Sequence, residues 1–84
     1  MKYALVTGAS RGIGRAVALR LANEYPVIIN YHSNSESANE VKELIEANGG
    51  YAELLPFDVA DSQSIEYAID LWEQRHPDDY ISVL

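Results

Sequence analysis

Gly8, Gly12 and Gly14 stand between an apolar run, Tyr3-Ala4-Leu5-Val6, and an amphipathic segment, Arg15 to Glu24. A strand that turns through three glycines into a helix can be built in few ways. Gly8 lets the backbone leave the strand sharply. Gly12 lets it pass close to a ligand that any Cβ would obstruct, and Gly14 lets the helix pack tightly on the strand. The unpaired N–H groups of the first helical turn then face outward, where the helix dipole favours negative charge. Such a turn is a phosphate cradle; the alternative is a tight turn whose glycines serve packing alone. A P-loop fits less well, because Arg15 follows Gly14 where Lys and then Ser or Thr would be needed.

The rest of the chain alternates strand and helix. Lys2 to Val6 is nearly all apolar, as suits a parallel strand covered on both faces. The spacing predicts a helix from about Gly12 to Glu24, with Ile13, Val17 and Leu21 as its stripe and Ala16 beside them, stopped by Pro26. Val27 to Tyr31 follows as a second strand. The polar loop His32 to Ser37 holds two overlapping capping boxes, Ser33 with Glu36 and Ser37 with Glu40. A second helix then buries Ala38, Val41, Leu44 and Ile45, turns Glu36, Glu40, Glu43 and Glu46 to solvent, and ends at Gly49-Gly50. Tyr51 to Phe57 reads as strand three. Asp61 caps a third helix, whose buried stripe is Ile65, Ala68, Ile69 and Trp72 and whose end is His76-Pro77. Tyr80 to Leu84 begins a fourth strand. This βαβαβαβ order predicts an α/β, Rossmann-type doubly wound parallel sheet, with residues 1–84 forming part of one domain.

Composition narrows the function. The net charge of −7 argues against a nucleic-acid partner or an anionic membrane surface. Affinity for phosphate must therefore be local, from helix N-termini together with Arg11 and Arg15. Cysteine is absent, which excludes disulfides and thiolate chemistry, and His32 and His76 alone cannot build a zinc site. The first strand starts near residue 2 and no apolar run reaches membrane-spanning length, so a soluble cytoplasmic protein without a signal peptide is expected.

The spacing Thr7-Gly8-x-x-x-Gly12-x-Gly14, and the literal run TGASRGIG, resemble the short-chain dehydrogenase/reductase family. Asn30-Tyr31 at the end of strand two and Phe57-Asp58-Val59 at the end of strand three add to the resemblance. Within the family the chain is most similar to the 3-oxoacyl-[acyl-carrier-protein] reductases of fatty-acid synthesis. The likeness covers all 84 residues but only about the first third of a family member. It implies strand order 3-2-1-4 and a loop of Gly8, Ala9, Ser10, Arg11, Gly12, Ile13 and Gly14 around the pyrophosphate and adenosine ribose. Tyr31 falls where NAD-specific members carry an acidic residue. With that charge gone and Arg11 near, NADP is favoured over NAD. His32 and Ser33 would add contacts to the 2′-phosphate, although His32 also reads as a solvated loop residue. Glu36 has a separation suited to reading a ribose, but its place in the helix favours a capping role. Asp58 and Val59 would line the adenine, with the Asp58 carboxylate accepting from the exocyclic amine; alternatively Asp58 only opens the turn to Asp61.

The family's chemistry needs a Tyr-x-x-x-Lys pair with a Ser, and an Asn that organises a proton relay. The two lysines, Lys2 and Lys42, do not follow a tyrosine by four. The Asn-Asn-Ala-Gly run expected after strand four is also missing, so no catalytic or metal-ligating residue is assigned. The expectation is an inactive N-terminal piece of an NADPH-dependent reductase, cut at strand four. Acyl carrier protein would be a partner of the parent only. Strand four would then be an edge through which the chain self-associates. The rival readings are a stand-alone nucleotide-binding module and a structural fragment without turnover.

Overall fold

The computed structural model describes residues 1–9 and 12–83. Its elements are β1 (Lys2–Val6), α1 (Gly12–Leu21), β2 (Val27–Tyr31), α2 (Ser35–Ala47), β3 (Ala52–Pro56), α3 (Ser62–Arg75) and β4 (Tyr80–Val83). The four strands form one sheet in the order β3-β2-β1-β4, all pairs parallel. Ala4 pairs with Val27 and with Ser82, and Asn30 pairs with Leu55. This register brings the C-terminal ends of β1, β2 and β3 to one edge of the sheet.

Two cores lie on opposite faces. Val6, Val27, Ile29 and Ala52 meet Ala18 of α1 and Ala38, Val41 and Ile45 of α2. Tyr3, Leu5, Ile28, Leu55 and Phe57 meet Ala68 and Trp72 of α3. The period-2 alternation of a strand buried on both sides explains why β1 and β2 read as unbroken apolar runs.

Helix α1 departs from the expected stripe. Ile13 is 85% exposed and Val17 is also exposed, whereas Ala18 is fully buried. The inward line is Gly14, Ala18 and Ala22, four residues apart and all small, so the helix lies close on the sheet. Small residues contribute little to a hydropathy pattern, which is why the bulkier Ile13-Val17 line stands out in the sequence. The helix also ends earlier than Glu24. It unwinds through Asn23 N–H to Arg20 O at 3.2 Å and Glu24 N–H to Leu21 O at 2.9 Å. These three-residue turns end the helix without a left-handed residue.

Neither expected capping box forms at α2. The cap is Asn34, whose Oδ1 accepts from Ser37 N–H at 3.0 Å. Glu36 therefore sits within the first turn, where its charge suits the dipole. Leu44 is partly exposed, leaving Ala38, Val41 and Ile45 as the buried line. The far end matches expectation. Gly49, at φ +85°, donates to Glu46 O, and Gly50 donates to Ile45 O, each at 3.0 Å, closing a Schellman turn. Asp61 caps α3 as expected, accepting from Gln63 N–H and Ser64 N–H.

A polar and aromatic cluster joins the other end of the sheet to α3. Glu53 Oε2 lies 2.9 Å from His76 Nε2 and accepts from the Tyr51 hydroxyl at 3.0 Å. Desolvation, then donation to Glu53 and the charge of that carboxylate, push the Tyr51 hydroxyl up to about 12. Tyr3 is shifted upward as well, by burial and by Glu53 and Asp79. A phenol whose pKa is higher folded than unfolded supports folding fully below its unfolded pKa and loses that support as pH rises through the folded value. For Tyr51 the window runs from 10.0 to about 12. Urea midpoints should therefore fall across this window, and Tyr51→Phe should fall less steeply than the wild type. Superimposable slopes would refute the coupling.

Candidate functional site

The glycine turn comes first in building the site. Gly8 and Gly12 both adopt φ of +64°, a conformation that L side chains rarely take. Nothing lies within 4 Å of a Cβ built on either, so within the chain it is the backbone angle that calls for glycine there. Gly14 is different. A Cβ there would run into the Gly8 carbonyl oxygen and lie 2.8 Å from Gly8 C and 3.3 Å from Ala9 Cα. Gly14 is thus the close packing point between helix and strand turn that its spacing predicts. Ala9 is fully buried against the core shared with α1 and α2, so its methyl packs inward. Ser10 and Arg11 lie outside the described residues.

The ends of the three strands converge on an open cavity of about 290 Å³. Gly8 contributes from β1, Asn30, Tyr31 and His32 from the end of β2, and Phe57, Asp58 and Val59 from the end of β3. Five of the sequence-derived site residues, Gly8, Tyr31, His32, Asp58 and Val59, are brought together here. Ile13 points into solvent and Ser33 is exposed, and neither lines the cavity. A second, apolar cavity of about 390 Å³ shares Gly8, Phe57 and Val59 and runs on to Leu5, Ile65, Ile69 and Val83.

Asp58 is held on several sides. Its N–H donates to Ser64 Oγ at 3.1 Å, its carbonyl accepts from Asp61 N–H at 3.0 Å, and its Oδ1 accepts from Ala60 N–H at 2.9 Å. The other carboxylate oxygen, Oδ2, faces His32 Nε2 at 4.0 Å. Both side chains are substantially exposed, so the pair stabilises the fold by no more than about 1 kcal/mol. Its value lies in placing one carboxylate and one imidazole at the mouth of the same cavity. Asn30 and Phe57 line the cavity but were not among the residues expected to bind. Asn30 and Phe57 stand out in the sequence only as part of the family resemblance, and Asn30 also by its polarity in an apolar run. Among the described residues, no group of three His, Cys, Asp or Glu side chains could hold a metal ion, and no helix is long and apolar enough to cross a membrane.

The side-chain chemistry at the cavity mouth is that of one carboxylate and one imidazole. Helix α1 has no acidic residue in its first turn. The carboxylate of Asp58 is the acceptor at hand.

The short chain dehydrogenase family model matches residues 2–84. An uncharacterized oxidoreductase of Escherichia coli, YgfF, is 52% identical over 66 residues, which cover 77% of this chain and 27% of that protein. The 3-oxoacyl-[acyl-carrier-protein] reductase FabG of Staphylococcus aureus is 48% identical over 69 residues, covering 81% of this chain and 28% of that protein. Among solved structures, an angucycline C-6 ketoreductase, LanV, with bound NADP superposes with a TM-score of 0.79 at 37% identity, covering 88% of this chain and 29% of that one. The chain thus spans little more than a quarter of the length of the curated relatives it matches.

Proposed function

The chain belongs to the short-chain dehydrogenase family, and from that premise we propose that it forms the NADP-binding part of a carbonyl reductase. The reading rests on the end of β2. Tyr31 stands there without a carboxylate, next to His32, in the cavity that also holds Gly8 and Asp58. An acidic side chain at that position would repel a 2′-phosphate, whereas an imidazole nearby can donate to it.

In this reading the N–H groups at the start of α1 hold the pyrophosphate. Asp58 accepts from the exocyclic amine of adenine while Val59 covers the ring. Gly12, Arg11 and Ser10 complete the loop, and His32 and Ser33 face the 2′-phosphate. The cofactor, when bound, supplies the hydride of the reductase reaction. A cavity of about 290 Å³ is at the small end of the ~300–1,000 Å³ typical of ligand clefts, so it suits the adenosine end of the ligand alone. No tyrosine in the chain is followed four residues later by lysine, so we assign these residues to binding and none to turnover. We propose a 3-oxoacyl thioester carried on acyl carrier protein as the substrate of the whole reductase, on the strength of the FabG likeness.

Calorimetric titration of the folded chain with NADPH, NADH and 2′,5′-ADP tests the binding role. NADPH should bind at least tenfold tighter than NADH, a difference of ~1.4 kcal/mol. The fragment 2′,5′-ADP should bind nearly as well as NADPH. Equal affinities for the two dinucleotides would overturn the assignment of NADP.

A further inference from the structure

Asn30 is the sole buried residue of polar or charged type among the described residues, 2% exposed near the end of a strand that otherwise buries valine and isoleucine. Burying an amide is costly unless its hydrogen bonds are met. Its Nδ2 donates to Phe57 O at 3.1 Å and to Leu55 O at 3.2 Å, with a longer contact to Tyr31 O at 3.4 Å. Carbonyl partners alone fix which end of the amide is the NH₂, since only that end can donate.

The ladder explains why these bonds are needed. Phe57 N–H donates to Tyr31 O at 3.1 Å, and this is the last rung between β2 and β3. In a parallel ladder the next rung would run from the N–H two residues beyond Tyr31, that of Ser33, to Phe57 O. Instead β2 ends at Tyr31, and the chain bends away through His32 and Ser33. The Phe57 carbonyl would then lack its donor where Phe57 is itself buried. Asn30 supplies that donor from the side.

We propose that Asn30 is a positioning residue for the nucleotide site: its amide fixes the Phe57–Asp58 peptide and so sets where the Asp58 carboxylate stands. Asn30 clamps that peptide from its carbonyl side. Ser64 Oγ clamps it from its N–H side, accepting from Asp58 N–H. With the peptide plane held at both ends, Oδ1 of Asp58 meets Ala60 N–H and Oδ2 is left facing the cavity and His32. Loss of the Asn30 amide frees the plane to rotate, and both carboxylate contacts go with it.

The binding half of this proposal rests on the nucleotide reading above; the positional half does not, and the two are measured separately. In the unmodified chain, NMR should show a through-hydrogen-bond coupling between Asn30 Nδ2 and the Phe57 carbonyl carbon; its absence would overturn the proposal at once. In Asn30→Leu, which keeps the branched shape and heavy-atom count but lacks the donor, amide exchange at Ala60 and Asp61 should quicken at least tenfold relative to Leu5 and Ile28. A uniform change across all four amides would mark Asn30 as a general stabiliser and refute the positioning role. As a binding readout, Asn30→Leu should weaken 2′,5′-ADP about tenfold while leaving inorganic pyrophosphate within twofold. Equal weakening of both ligands would refute the positioning role. Failure of both ligands to bind the wild type would count against the nucleotide reading, with the exchange result standing on its own.

Discussion

Gly14→Ala should destabilise the chain by about 1–3 kcal/mol, although in an isolated helix the same change stabilises by roughly 0.5–1 kcal/mol. The two effects oppose each other, and the contact distances decide between them. The new methyl would meet the Gly8 carbonyl group and Ala9 Cα, all backbone atoms of a turn already held at a left-handed angle. None can give way as the end of a flexible side chain would. Relief requires α1 to lift from the sheet, which opens the packing around Ala18. At about 4–8 °C per kcal/mol for a domain of this size, the melting temperature should fall by at least several degrees. The same movement displaces the first-turn N–H groups, so NADPH affinity should fall more than tenfold. Gly12→Ala is the informative control. It meets no atom within 4 Å and carries only the cost of its backbone angle, about 1–2 kcal/mol. A Gly14→Ala chain that melts at or above the wild-type temperature would show that the turn has slack not seen in the structure.

The contrast between these two glycines also shows how much of the molecule was legible in advance. The order of elements and the parallel sheet follow from alternation, turn residues and the chirality of crossovers, whereas the strand order 3-2-1-4 was implied only by the family resemblance of the glycine run. Gly14 was legible because its spacing from Gly8 has one geometric meaning. The facing of α1 was not, because it depends on which residues are small enough to let the helix approach, and hydropathy weights bulk. The α2 cap was missed for a related reason. Ser33, Asn34, Ser35 and Ser37 are all competent caps, and the choice of Asn34 depends on where β2 releases the chain. In the site, the residues at strand ends were legible because ligands in open parallel sheets gather there. Asn30 was not, since its role depends on a carbonyl in another strand, twenty-seven residues away.

Trp72→Ala should destabilise the chain by about 3–5 kcal/mol. The indole is 1% exposed and anchors the core between the sheet and α3, edge-on to Tyr3 with ring centroids at 5.0 Å and stacked on His76 at 4.2 Å. Truncating such a residue costs about 3–5 kcal/mol. A chain of 84 residues, at roughly 0.05–0.15 kcal/mol per residue, holds about 4–13 kcal/mol in all, so this one truncation removes a quarter or more of it. Trp72→Phe should behave quite differently. The indole Nε1 is buried with no hydrogen-bond partner, so the wild type already carries the desolvation cost of that N–H, about 1–3 kcal/mol. Phenylalanine removes the cost along with part of the packing, and the two changes offset. Circular dichroism melts of both variants would test the argument. Expected are a melting temperature lowered by more than about 10 °C for Trp72→Ala and one within a few degrees of wild type for Trp72→Phe. If both variants lose the same stability, the unpaired N–H carries no penalty, and the core depends on the full width of the indole alone.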